Sequence, residues 1–111
     1  MNMMHARRAY QMTRQAMDPR EQEADVIRRV TGGLRSALER EGIARARAIA
    51  DNRRLWIALD ASLRHPANQL PQETRVTMIQ VGRTVMREME NSAPDLAFLI
   101  EINEQLTFGL R

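Results

Sequence analysis

Apolar residues recur at spacings of three and four along almost the whole chain, and no stretch alternates apolar with polar as a half-buried strand does. That period restricts the chain to an all-α fold. Five helical segments are expected. The first covers about 2–17, with a weak stripe of Ala6, Ala9, Tyr10, Thr13, Ala16 and Met17. Small side chains bury little area, so this helix is expected to dock loosely. Asp18-Pro19-Arg20-Glu21 then reads as a helix start. Asp18 caps free amides, Pro19 suits the first helical position, and Glu21 completes a capping box. The second helix carries Val26, Ile27, Val30, Leu34, Ala37 and Leu38 on one face. Gly32-Gly33 in its middle costs about 1 kcal/mol per glycine relative to alanine, which suggests a close helix crossing or a kink. Gly42 is the expected stop.

The third helix is expected over 43–64, with Ala48, Ile49, Asn52, Leu55, Trp56, Leu59 and Leu63 on one face. A loop with Pro66 and Pro71 follows. The fourth helix runs from about 71 to 90 and presents a broad face of Met78, Ile79, Val81, Val85, Met86 and Met89. Ser92-Ala93-Pro94-Asp95 is a second capping-box signal, with Ser92 as the cap. The last stripe is Leu96, Leu99, Ile100, Ile102, Asn103, Leu106 and Leu110, while Phe98 and Phe108 lie on the opposite side. Short loops favour antiparallel neighbours, so 1–111 is expected to form one compact bundle of about five helices.

The side-chain inventory argues against chemistry. There is no Cys, and His5 and His65 are the only imidazoles. Neither lies in a metal-ligand spacing. Ser36, Ser62 and Ser92 have no nearby base or nucleophile-elbow context. Gly32-Gly33 is not followed by the Gly-Lys-Ser/Thr of a phosphate loop. Asp95, Glu101 and Glu104 read as ordinary surface charge. A protein without enzymatic activity, cofactor, metal or small-molecule substrate is expected. No run approaches the roughly 18 apolar residues of a membrane span. The N-terminus has no continuous apolar segment of the signal-peptide kind. A cytoplasmic protein that binds another macromolecule fits these features.

Asn52 and Asn103 each interrupt an apolar face. A buried amide without partners costs about 1–3 kcal/mol, so each requires a definite partner. The two can bond each other across a helix interface, or each can bond the backbone of a kinked turn. Their role is then either to set helix register in the core or to grip a partner.

Several short motifs, in order, carry a family resemblance. They are Ala9-Tyr10-Gln11, Asp18-Pro19-Arg20-Glu21, Val30-Thr31 before Leu34, and Asn52-Arg53-Arg54-Leu55-Trp56. Pro66-Ala67-Asn68-Gln69-Leu70-Pro71, Leu99-Ile100-Glu101-Ile102-Asn103 and Gly109-Leu110 follow. Together they resemble the flagellar protein FlaF family over most of the chain. The resemblance implies a cytoplasmic factor needed for flagellin production and export, similar in role to a flagellin chaperone. It also implies work alongside a second regulator, FlbT, which is associated with flagellin messenger RNA.

Flagellin is therefore the leading expected partner, with a FlbT-type regulator and RNA as alternatives. Eight methionines are many for this length, and methionine adapts to irregular surfaces or fills gaps in a core, though Met1, Met3 and Met4 are only the start and its neighbours. Met78, Met86, Met89, Trp56, Phe98 and Phe108 are the candidate apolar contacts, with Arg53 and Arg54 binding acidic residues at the rim. Trp56 and the three methionines equally suit a core role. For RNA, the candidate phosphate strip is Arg28, Arg29, Arg35 and Arg40. All seventeen basic residues are Arg, which prefers bidentate anion contacts. Glu21, Glu23, Asp25, Glu39 and Glu41 dilute that strip, and no aromatic platform accompanies it.

Overall fold

The computed structural model describes residues 19–109, with side chains described for 23–107. Four helices make up this region: α1 (Pro19–Ala37), α2 (Ile43–Arg64), α3 (Gln72–Glu90) and α4 (Leu96–Gly109). No strand occurs among the described residues, so the fold is all-α. The count is four rather than five, because the expected helix over 2–17 lies outside the described residues. The expected Asp18 cap lies there too.

The helix ends follow local chemistry. α1 stops at Ala37 and closes in a turn, with Leu38 N–H donating to Arg35 O at 3.2 Å and Arg40 N–H to Ala37 O at 3.0 Å. Gly42 is not the stop of this helix. It precedes α2 instead, with φ 66° and ψ −134°, a conformation that favours glycine because a Cβ would clash with the backbone. From there its carbonyl accepts the Ala46 N–H at 3.0 Å. α2 ends where His65 turns extended ahead of Pro66. The loop is held by Asn68, whose Nδ2 donates to Ser62 O at 2.9 Å and whose Oδ1 accepts Leu70 N–H at 2.9 Å. α4 is capped by Asp95 rather than Ser92. Asp95 Oδ1 accepts the Phe98 N–H at 3.1 Å, three residues on. Proline disfavours helical geometry at the preceding Ala93, so the helix starts after Pro94 instead of running through it. Buried Pro94 offers its carbonyl to Arg45 Nη2 at 3.1 Å.

α1 packs on α2 and α4, and α3 packs on α2. The core takes Ile27 and Leu34 from α1, Leu55 and Trp56 from α2, Val85 and Met89 from α3, and Leu96, Leu99 and Ile100 from α4. Burying each such large side chain contributes about 1.5–3 kcal/mol. Val26 and Val30 flank this core, whereas Leu38 is 45% exposed because α1 ends one residue earlier. Thr31 sits in the same stripe and satisfies its hydroxyl by donating to Ile27 O at 2.6 Å. Gly32 and Gly33 make no close crossing: nothing lies within 4 Å of the Cβ position at either one, and α1 runs on through both.

Candidate partner-binding grooves over a polar core

The two asparagines meet. Asn52 on α2 and Asn103 on α4 are both fully buried, and Asn103 Nδ2 donates to Asn52 Oδ1 at 2.8 Å. Trp56 Nε1, one turn along α2, donates to Asn103 Oδ1 at 3.0 Å. Asn52 Nδ2 points at Met89 Sδ on α3, 3.4 Å away. The indole N–H can only donate. It therefore fixes Asn103 with its oxygen toward Trp56 and its NH₂ toward Asn52. Asn52 must then present its oxygen to Asn103, which leaves its own NH₂ for the weakly accepting thioether. One donor-only group thus orients the whole chain of bonds across α2, α3 and α4. Thr107 extends it along α4 by donating to Asn103 O at 3.0 Å.

Above this network α3 is packed unevenly. Its second half buries Val85 and Met89 completely, whereas no residue of its first half is fully buried. α3 lies against the Trp56 ring at Gly82, where a Cβ would stand in ordinary contact, 3.4 Å from Trp56 Cε3. Two apolar grooves result. The larger, about 500 Å³, lies between α2 and α3 and is lined by Trp56, Ile57, Leu63, Met78, Ile79 and Met86, with Asp60, Arg83, Arg87 and Glu90 at its margins. The smaller, about 320 Å³, lies between α3 and α4 over Trp56 and Leu70, with Thr74, Met78 and Val81 on one wall and Ile102, Gln105 and Leu106 on the other. Trp56 and Met78 line both.

The residues singled out in the sequence divide accordingly. Trp56, Met78 and Met86 line grooves, although Trp56 is only 3% exposed and offers little more than an edge. Met89 is core and belongs to the polar network. Phe98 stands apart from both grooves, half-buried in a shallow depression with Thr84, Arg87, Glu88 and Asn91. The Phe108 side chain lies outside the described residues. Arg53 reaches back to Met89 O at 3.5 Å, and exposed Arg54 pairs with Asp51 at 3.0 Å, so both are engaged within the chain. On α1, Arg29 pairs with Asp25 at 3.3 Å and Arg35 pairs with Glu104 of α4, so two of the four arginines of the expected phosphate strip carry ion pairs within the chain.

Ile57 and the groove walls Val81, Ile102 and Leu106 were not singled out as contacts in the sequence. Ile57 carried a signal, because it falls off the apolar stripe of its helix, and it is 55% exposed. The breadth of the α3 face was a second signal, being wider than one neighbouring helix covers. Among the described residues no helix is long and apolar enough to cross a membrane, and no group of three His, Asp or Glu could hold a metal ion. No curated protein and no solved structure matches the sequence. The model of the family described as flagellar protein FlaF matches residues 6–110, nearly the whole chain, and the protein belongs to that family.

Proposed function

We propose that this flagellar protein binds an amphipathic segment of unpolymerised flagellin in the groove between α3 and α4, as a chaperone that keeps the segment from assembling before export. The observation that carries the reading is the lining of that groove. It has no charged residue, and two helices splay apart over a common floor. An amphipathic helix laid between such walls buries its apolar face against both. Each 100 Å² of apolar surface removed from water contributes about 2.5 kcal/mol. That gain must exceed the cost of ordering the segment, which makes a moderate, reversible affinity the natural outcome. Met78, an unbranched side chain at the centre of the groove, adapts to the occupant. The role is binding in the cytoplasm, without catalysis or cofactor.

The test is calorimetry of the full chain with monomeric flagellin. Binding in the micromolar range is expected. Leu106→Glu places a charge in the wall and should abolish that binding while circular dichroism stays unchanged. Absence of heat and of co-elution at micromolar concentrations overturns the reading. Loss of binding in Phe98→Ala, with Leu106→Glu unaffected, overturns the choice of groove and moves the contact to the depression at Phe98.

A further inference from the structure

We propose that the groove between α2 and α3 is a second docking site, which takes an acidic amphipathic helix of another protein. The inference does not rest on flagellin occupying the neighbouring groove. Its floor is apolar and open: Ile57 is 55% exposed there beside Met78, Ile79 and Met86. A large aliphatic side chain left in water beside such neighbours marks a surface that gains by being covered.

Charge decides the occupant. Arg83 and Arg87 stand four residues apart on the α3 wall, one helical turn from each other. Neither has an ion-pair or hydrogen-bond partner among the described residues. On the α2 wall Asp60 is already held by Arg64 at 2.9 Å. Glu90 lies three residues beyond Arg87 and offsets the basic charge at that end of the groove, leaving Arg83 and the flank of Arg87 toward it as the basic stretch. The uncommitted charge along the middle of the groove is therefore positive, in two steps about 6 Å apart along the helix axis. A partner helix with two carboxylates one turn apart beside an apolar stripe matches both the floor and the steps. Arg favours this pairing because its planar fork takes a carboxylate by two hydrogen bonds. RNA fits less well: the indole face is covered, so no base can stack beside these arginines.

The two grooves thus differ in what they accept. One is uncharged, and the other carries a basic wall. They share Trp56 and Met78 as a common partition.

The full chain is titrated with a synthetic helical peptide that has leucines on one face and two glutamates four residues apart at its edge. Calorimetry gives the affinity, emission of Trp56, the only tryptophan, reports filling of either groove it lines, and the substitutions below tell the two grooves apart. The expected result is micromolar binding that weakens about three- to tenfold when the glutamates become glutamines. The same loss is expected in Arg83→Gln/Arg87→Gln, where the glutamine peptide then binds no more weakly than the glutamate peptide. Both arginines are exposed, so the fold is retained. Leu106→Glu should leave peptide affinity unchanged. Failure to bind at about 100 μM, or equal affinity for both peptides in the unsubstituted chain, overturns the proposal. So does an RNA oligonucleotide that displaces the peptide through the same two arginines, or self-association that these substitutions abolish.

Discussion

Replacing Asn103 by leucine tests the directional hydrogen-bond chain across the core. Leucine is close in volume, so the perturbation removes polar atoms without opening a large void. It leaves two buried groups without partners: the Trp56 indole N–H and the Asn52 carbonyl oxygen. At about 1–3 kcal/mol for each orphaned group, Asn103→Leu should cost about 2–6 kcal/mol. Asn52→Leu orphans one strong group, the Asn103 NH₂, and loses the weak contact with Met89. Its expected cost is about 1–3 kcal/mol. In the double variant only the indole N–H remains unpaired, so its cost returns to about 1–3 kcal/mol. The double variant should thus be no less stable than Asn103→Leu alone, with a coupling of about 2–6 kcal/mol against the sum of the single variants. Urea unfolding followed by circular dichroism measures all four proteins without relying on Trp56. Costs that add to within about 0.5 kcal/mol would show that the two amides do not act on each other, and would refute the reasoning.

Two further substitutions probe the helices themselves. Gly32→Ala and Gly33→Ala fill open space within α1, so together they should stabilise the domain by about 1–2 kcal/mol and raise its Tm by about 5–10 °C; a lower Tm would restore a close contact at that site. Asp95→Ala should cost about 1 kcal/mol through loss of the α4 cap, while Ser92→Ala changes stability little; the opposite ranking in chemical denaturation would return the cap to Ser92.

The sequence pattern reaches some levels of this structure and not others. The periodicity locates α2 at 43–64 and α3 next to Pro71 because each helix is long and bounded by a glycine or a proline. It puts Asn52 and Asn103 inside apolar faces, and from that follows the need for a partner. It does not pair them, because they lie 51 residues apart and either could have bonded locally. The Asp95 cap is harder to read than it looks. Ser92 and Asp95 both satisfy a capping pattern, and only the course of the chain around Pro94 decides between them. The grooves are the least legible feature. Met78, Val81, Met86 and Met89 share a broad face, but which part of it meets α2 and which part stays open depends on how far α4 stands away. Asn103 ties α4 to α2 through Trp56 and Asn52, a contact that no local pattern encodes. The ion pair of Arg35 with Glu104 is similarly tertiary, joining α1 to α4 through residues that read individually as solvated charge.

The uneven seating of α3 sets the order in which the molecule opens. Its second half is fastened through Val85 and Met89, while the preceding turns bury nothing completely. Amides in those turns can exchange with solvent by local opening that leaves α1, α2 and α4 intact, at a free energy well below that of global unfolding. The proposed occupant of the α3–α4 groove would contact Thr74, Met78 and Val81 in those turns and should raise that opening energy. The first half of α3 walls the α3–α4 groove through Thr74, Met78 and Val81, and only Met78 of these also lines the α2–α3 groove, so slower exchange of its amides is the expected signature of a filled α3–α4 groove.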